Sequence, residues 1–95
     1  MAVYVDDMYK TPIGNFRGMK MSHLIADTRA ELLAMVDTIG VQRKWIQSKD
    51  TPREHFDISL SKRALAVKAG AIEISYRELA EMTRTRTYEG TQQIY

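Results

Sequence analysis

The sequence contains no cysteine among its 95 residues. This excludes a disulfide scaffold and a thiolate metal site, and it suits a reducing cytosol. The chain also lacks a run of the roughly eighteen apolar residues that a membrane span needs. At the N-terminus, Asp6 and Asp7 follow before an apolar signal-peptide segment can develop. Together these absences predict a cytoplasmic protein that does not contact a membrane.

A strong charge of one sign is missing as well. The formal net charge is +2, and the basic residues are scattered along the chain. Nucleic-acid-binding proteins usually concentrate their basic residues on one segment or face. The sequence also shows no helix-turn-helix spacing. A dedicated DNA-binding protein is therefore disfavoured.

Short apolar runs alternate with amphipathic segments along the chain. Strands are predicted at residues 2–5, 19–26, 41–47 and 71–74, with a further short strand in the stretch 53–60. Helices are predicted at residues 27–39, 61–69 and 75–82. This order predicts a small α/β sandwich with a mixed or mostly parallel sheet of about four strands and three short helices. Residues 1–82 would form the single domain.

Local signals mark the ends of the predicted helices. Thr28 with Glu31, and Ser75 with Glu78, have the spacing of a capping box, and Asp27 is an alternative N-cap for the first helix. Gly40 would end that helix. The first helix carries an apolar stripe made of Leu32, Leu33, Val36 and Ile39.

Two segments show no helical or strand pattern. Residues 8–18 are rich in turn formers and predict a loop of about ten residues, a length that is often functional. Residues 83–95 are polar and aperiodic and predict a flexible tail. Contact with a neighbouring subunit could order this tail, which would make the protein a homo-oligomer.

The strongest candidate site lies in the stretch 53–63. In a strand, side chains two residues apart share a face, which pairs His55 with Asp57. His55 would act as a metal ligand or general base, and Asp57 as a second ligand or as the group that orients the imidazole. The alternative is an Asp57 that caps the following helix and a histidine on the surface.

Three further residues sit near predicted strand ends. His23 and Asp27 would share a face of the second strand and form a ligand pair or an acid/base pair. Asp6, with Asp7, follows the first strand, where carboxylates can hold Mg²⁺ or Mn²⁺. The alternatives are a helix-capping Asp27, a strand-capping Asp6 and a half-buried, hydrogen-bonded His23.

A basic helix start follows the His55 stretch. Ser59, Ser61, Lys62 and Arg63 combine hydroxyls, cations and free N–H groups, which can bind a phosphate. There is no glycine-rich loop, so a Walker-type nucleotide site is excluded. The alternative is an ordinary capped and solvated helix. Trp45, beside Arg43 and Lys44, could stack a base, although a lone tryptophan more often belongs to the core.

Several of these residues also form a set of family landmarks. They are Tyr4-Val5-Asp6-Asp7, His23-Leu24-Ile25-Ala26-Asp27-Thr28, Glu31-Leu32, Ile39-Gly40, Trp45, His55-Phe56-Asp57-Ile58, Lys62-Arg63 and Gly70-Ala71. In residues and spacing, over about residues 2–80, the chain resembles the bacterial and phage domain of unknown function 4031 (DUF4031). The resemblance implies a prokaryotic or bacteriophage origin and a single cytoplasmic domain. The segment after Met82 falls outside the pattern.

Two functions agree with these observations. The first is a small cytoplasmic protein with a His/Asp/Arg site that binds, and hydrolyses, a phosphorylated ligand such as a nucleotide or nucleic acid. It would use a divalent metal such as Mg²⁺, Mn²⁺ or Zn²⁺. The second is a non-enzymatic binding module that sequesters a small anion or attaches to a host protein. The two differ in whether the histidines and aspartates share one metal-sized cluster.

Overall fold

A computed structural model describes residues 2–88 of the chain. Its strands and helices are β1 (Val3–Val5), β2 (Asn15–Phe16), β3 (Met19–Ala26), α1 (Arg29–Ile39), β4 (Phe56–Ser59), α2 (Leu60–Lys68), β5 (Ile72–Glu73) and α3 (Tyr76–Thr85). Short 3₁₀ turns lie at Met8–Lys10, Pro12–Gly14 and Arg43–Trp45. The predicted α/β class with three helices is confirmed. Within residues 2–88, no helix has both the length and the apolar character needed to cross a membrane.

The longest strand, β3, organises the sheet. It pairs antiparallel with β1, with β2 and with β4, whereas β5 pairs parallel with β1. The prediction of a mixed sheet is confirmed, with five strands rather than about four. The mostly parallel alternative is wrong, because β1 and β5 are the one parallel pair among the described strands.

The main core lies between one face of the sheet and the helices α1 and α2. Alternation along β3 and β4 places Leu24, Phe56 and Ile58 on this face, where all three are buried. The predicted stripe of α1 packs against them, with Leu32, Val36 and Ile39 buried and Leu33 partly buried. The same alternation turns His23 and Asp57 to the opposite face of the sheet.

The helix starts follow the capping signals in the sequence. The hydroxyl of Thr28 accepts a hydrogen bond from the backbone N–H of Glu31 and caps α1. Ser59 caps α2 through the N–H of Lys62, and Ser75 forms a full capping box with Glu78 at α3. The caps of α1 and α2 are thus hydroxyl residues, and the alternatives in which Asp27 or Asp57 caps a helix are wrong.

The strand predicted at residues 41–47 is absent. Val41 and Gln42 are irregular, and Arg43–Trp45 forms a 3₁₀ turn. Arg43 makes a bidentate ion pair with Asp37 on α1, at 3.0 and 2.7 Å, which holds this segment against the helix rather than the sheet. Sheet-like pairing begins at Gln47, which forms an isolated antiparallel bridge with His55.

The predicted loop at residues 8–18 contains more structure than expected. After two 3₁₀ turns, β2 forms a hairpin with β3. The two residues that connect these strands, Arg17 and Gly18, have positive φ angles of 49° and 79°. Positive φ at both positions is the requirement of a tight type I′ hairpin turn.

The C-terminal part of the described chain is held to the domain. Helix α3 reaches Thr85, beyond the predicted end near Met82. Arg86 donates to the carbonyl oxygens of Ala26 and Pro52 at 2.7 and 3.0 Å, and Tyr88 is buried. Residues 83–88 therefore do not form the predicted flexible tail. Its remainder, 89–95, and the subunit contact predicted for it lie outside the described residues.

Gly14 packs tightly against the preceding 3₁₀ turn. A Cβ at Gly14 would lie 2.2 Å from the carbonyl oxygen of Met8, whereas one at Gly18 would meet no atom within 4 Å. We expect Gly14→Ala to lower the free energy of unfolding by about 2–3 kcal/mol through overpacking. Gly18→Ala should cost about 1 kcal/mol, from its positive φ alone. Urea denaturation measures both, and equal costs would contradict the close packing at Gly14.

Candidate metal centre

Two neighbouring strands bring the predicted site residues together. The register of β3 and β4 places His23 directly opposite Asp57. His55 lies two residues before Asp57, and its bridge with Gln47 keeps this segment extended. The three side chains therefore meet on the sheet face that points away from α1 and α2. The rings of His23 and His55 lie edge to face with centroids 5.0 Å apart.

A buried carboxylate orients the His23 ring. Asp6 is fully buried, and its Oδ2 lies 2.6 Å from His23 Nδ1. Its other oxygen, Oδ1, accepts from the backbone N–H groups of His23 at 2.9 Å and Met8 at 3.1 Å. With Nδ1 donating to this carboxylate, the Nε2 atom of His23 carries a free lone pair in the neutral ring.

The His55 ring is oriented in a similar way by the backbone. Its Nδ1 lies 2.6 Å from the carbonyl oxygen of Arg53, two residues earlier. A carbonyl oxygen only accepts, so Nδ1 carries the proton and Nε2 is left as a lone-pair donor in the neutral ring. Both imidazoles thus present the same type of nitrogen to the site.

The two Nε2 atoms converge on one oxygen of Asp57. Its Oδ1 lies 3.4 Å from His55 Nε2 and 3.9 Å from His23 Nε2, and it is buried without a hydrogen-bond partner. Asp57 Oδ2 accepts from Gln47 Nε2 at 2.7 Å, which fixes the carboxylate. Two ligands bound tetrahedrally to one ion at 2.1 Å are about 3.4 Å apart. All three ligand atoms lie within 4.8 Å of one another, close enough for small side-chain movements to bring them onto one ion.

Protonation equilibria reflect the same attraction. Burial disfavours the charged form of His55, but the Asp57 carboxylate and the Arg53 carbonyl outweigh it and raise the pKa of His55 above its ordinary value. Burial also disfavours the charged form of Asp57, yet His55, Gln47 and His23 together lower the pKa of this carboxyl. The carboxylate form of Asp57 is thus favoured by the imidazoles and the amide around it, and a bound cation would favour it in the same way.

Two cavities adjoin the residues of the cluster. One, of about 350 Å³, is lined by His23 and His55 on the sheet and by Leu79 and Thr83 of α3. The exposed Arg53 lies at its edge, and its guanidinium has no hydrogen-bond or ion-pair partner within residues 2–88. The other cavity, of about 470 Å³, adjoins Asp57 and is mainly apolar. A ligand can therefore approach the cluster from solvent.

Residues 3–86 of this chain match the model of a family that is described as a protein of unknown function, DUF4031. The chain belongs to the DUF4031 family. The resemblance seen in the sequence is thus confirmed, and the match extends past Met82 to the end of α3. No curated protein and no solved structure matches this chain.

In this DUF4031 chain, the two aspartates predicted as metal ligands lie in different places. Asp6 contacts the Nδ1 atom of His23, on the opposite side of the ring from the Nε2 atom that faces Asp57. Asp27 lies outside the cluster, and its Oδ2 accepts from the backbone N–H of Ala2 at 2.7 Å. The structure therefore brings together His23, His55 and Asp57, with Asp6 as a supporting residue.

The predicted anion-binding residues of the DUF4031 chain are already engaged. Arg63 donates to the backbone carbonyl of Asp6 at 2.9 Å and to Glu73 at 3.0 Å. Lys62 Nζ lies next to Gly40, where α1 ends, and Ser59 caps α2. The contacts of Arg63 and Ser59 support the fold, and none of the three residues lines either cavity beside the His/Asp cluster.

Sequence reasoning missed two contributors to the site. Gln47 holds Asp57, and Arg53 supplies both the carbonyl that orients His55 and a cation at the cavity edge. Gln47 could not be found from the sequence, because its contact depends on the bridge to His55 across a loop. The role of Arg53 could have been predicted, because the backbone carbonyl two residues before a histidine can reach the ring of that histidine.

Proposed function

We propose that His23, His55 and Asp57 bind one divalent transition-metal ion, with which the protein hydrolyses a phosphorylated ligand. The observation that carries the proposal is the buried Oδ1 of Asp57, which has no hydrogen-bond partner and faces two imidazole Nε2 atoms at 3.4 and 3.9 Å. A buried polar atom without a partner is costly. A cation between these three atoms would satisfy all of them at once.

The ligand types favour some metals over others. Two imidazoles and one carboxylate suit Zn²⁺, Mn²⁺ or Fe²⁺, whereas Mg²⁺ prefers oxygen ligands alone. Three protein ligands leave positions open for water and substrate, as in catalytic rather than structural zinc sites. The half-exposed side chains of His23 (26%) and Asp57 (31%) keep that side accessible. We therefore expect Zn²⁺ or Mn²⁺ to bind more tightly than Mg²⁺.

Charge explains why a phosphorylated ligand would need the metal. Asp6 and Asp57 place two carboxylates beside the histidines, and these would repel a phosphate. A bound cation reverses that local charge, and Arg53 offers a second cation at the cavity edge. Held by His23, His55 and Asp57, the ion would supply a Lewis acid that activates water. The water oxygen would bond to phosphorus as the ester P–O bond breaks, and the proton lost from the water would go to the departing alcohol.

The alternative is a non-enzymatic module that binds an anion or a host protein without a metal. The raised pKa of His55 favours a positive imidazolium next to Arg53, which supports this possibility. The nearby carboxylates oppose it. We give the metal-dependent function precedence because one cation would satisfy both Nε2 atoms and the Asp57 oxygen together, whereas a protonated His55 would pair with that oxygen alone.

The test begins with metal-free protein, titrated calorimetrically with Zn²⁺, Mn²⁺ and Mg²⁺. The proposal expects one equivalent of Zn²⁺ or Mn²⁺ to bind, and release of nitrophenol from nitrophenyl phosphate esters only in the metal-loaded protein. Arg53→Ala should weaken ester hydrolysis but not metal binding, while the exposed Arg77 of α3 serves as a matched control through Arg77→Ala. Phosphate binding in the absence of any metal binding would favour the non-enzymatic module.

Asp6→Asn should weaken metal binding about 10–100-fold through the His23 tautomer. The oxygen of the new amide stays on the two backbone N–H groups that Asp6 Oδ1 now binds. Its NH₂ group then faces His23 Nδ1, which must accept, and the proton moves to Nε2, where it blocks a metal. Calorimetry with Zn²⁺ measures the loss.

Asp7→Asn is the control for this substitution. Asp7 accepts from the N–H of Tyr76, and an amide oxygen can do the same. Equal metal affinities for the Asp6 and Asp7 variants would show that Asp6 does not orient the ligand.

We also propose that the protein is cytoplasmic. The complete lack of cysteine in the sequence agrees with a reducing compartment. The bacteriophage origin predicted from the resemblance has no further support in the structure.

A further inference from the structure

The mainly apolar cavity beside Asp57 has the features of a second subsite. It measures about 470 Å³, within the range of small-molecule sites. Its wall includes Asp57 and Gln47, the residue that holds the Asp57 carboxylate. A molecule in this cavity would therefore contact Asp57, one of the three proposed ligands of the metal ion.

The apolar part of this wall is unusually exposed. Of the large hydrophobic side chains in residues 2–88, the three with the greatest exposure are Ile13 (70%), Trp45 (62%) and Phe16 (57%). All three line this one cavity. Isolated exposed apolar residues are ordinary, whereas a cluster around a concave surface marks a binding site.

Two of these residues are aromatic, and amide groups accompany them. Asn15 and Gln47 line the cavity, and the side-chain amide of Asn15 and the Oε1 atom of Gln47 have no hydrogen-bond partners in the described part of the chain. Lys44 Nζ lies 5.0 Å from the Trp45 ring and adds positive charge at the rim. Aromatic faces beside free amides and a cation are the groups that bind a nucleobase carrying a phosphate.

We infer that this cavity binds the base of a mononucleotide whose phosphate lies on the metal centre. The inference rests on the proposed function and names its substrate class. Trp45 and Phe16 supply the stacking surfaces, while Asn15 and Gln47 contact the polar edge of the base. A single base fits a cavity of this size, whereas a longer nucleic acid would need a basic track that the scattered charges do not form.

The experiment compares AMP with ribose phosphate, which has the same phosphate but no base. With the Zn²⁺-loaded protein, AMP should bind about 5–150-fold more tightly, the fold-change that corresponds to one stacked base. Trp45→Ala should remove this preference and leave metal stoichiometry unchanged. Leu65→Ala, which removes an exposed apolar side chain on α2, is the matched control and should keep the preference. Equal affinities for AMP and ribose phosphate in the wild type would overturn the inference.

A second measurement separates this inference from the metal proposal. Trp45 is the single tryptophan of the sequence, so its fluorescence reports on the cavity alone. Adenosine, which has no phosphate, should quench it saturably even in metal-free protein, and Phe16→Ala should weaken that binding. Quenching without any metal binding would overturn the proposed hydrolase and keep the base subsite. Metal binding without quenching or base preference would overturn the subsite and keep the metal centre.

Discussion

His55→Ala is expected to abolish tight binding of Zn²⁺ or Mn²⁺ by the otherwise folded protein. The substitution removes one of three converging ligand atoms and leaves His23 and Asp57, which cannot enclose an ion. Loss of a supporting residue alone costs about 10–100-fold in metal affinity, so loss of a direct ligand should cost more than about 100-fold. Hydrolysis of phosphate esters should disappear with the metal.

The fold should tolerate this change. Two backbone hydrogen bonds hold residue 55 to Gln47, at 2.9 and 3.1 Å, and neither depends on the side chain. Calorimetry would therefore be accompanied by circular dichroism and a thermal melt. Ser48→Ala is the matched control, because Ser48 lines the same cavity and its hydroxyl has no hydrogen-bond partner in residues 2–88. If His55→Ala still binds one equivalent of Zn²⁺ as the wild type does, His55 is not a ligand.

Glu54→Ala should lower the free energy of unfolding by about 3 kcal/mol, the largest stability change we predict. Glu54 is fully buried and accepts hydrogen bonds from Arg29 Nη2 at 2.5 Å and from the Asp50 N–H at 3.1 Å. The hydroxyl of Tyr88 also donates to it. Removal of the carboxylate leaves the buried hydroxyl of Tyr88 without its acceptor, where water cannot fully replace it, and leaves Arg29 with Asp50 as its remaining acidic partner. Urea denaturation measures the change.

A second glutamate supplies the control for burial. Glu73 also pairs with an arginine, Arg63, at 3.0 Å, but its side chain is 59% exposed. Glu73→Ala should therefore cost less than about 1 kcal/mol. Tyr88→Phe is a milder substitution, and this variant should fold even if Glu54→Ala does not. It should lower the free energy of unfolding by about 1.5–3 kcal/mol, the usual value for a hydrogen bond to a charged group. Equal costs for Glu54→Ala and Glu73→Ala would contradict the buried network.

Features that depend on a few neighbouring residues could be predicted from the sequence. The extended stretch of β3 could be predicted from residues 19–26, and the caps at Thr28 and Ser75 follow from side chains three residues apart. The pairing of His55 with Asp57 on one face is equally local, because it requires only an extended backbone. All the residues that produce such a signal lie within a single helical turn or strand, so the sequence alone is enough to predict it.

Features that depend on tertiary contacts could not be predicted. The sequence places Asp6 at the end of a strand, but its contact with His23 arises from the antiparallel pairing of β1 with β3. The segment at residues 41–47 has strand-like composition, yet its ion pair with α1 decides its path. The polar composition of residues 83–88 does not indicate that Tyr88 is buried and donates a hydrogen bond to Glu54.

The hydrogen bonds of Arg86 have a consequence for how the protein matures on the ribosome. Arg86 donates to the carbonyl of Pro52 in the loop that leads into His55, and Tyr88 donates to Glu54 in the same loop. Synthesis proceeds from the N-terminus, so the histidines and aspartates of the cluster leave the ribosome before the residues that fasten this loop. Assembly of the centre is therefore completed only after Arg86 and Tyr88 have emerged, and the proposed metal ion would bind after that point.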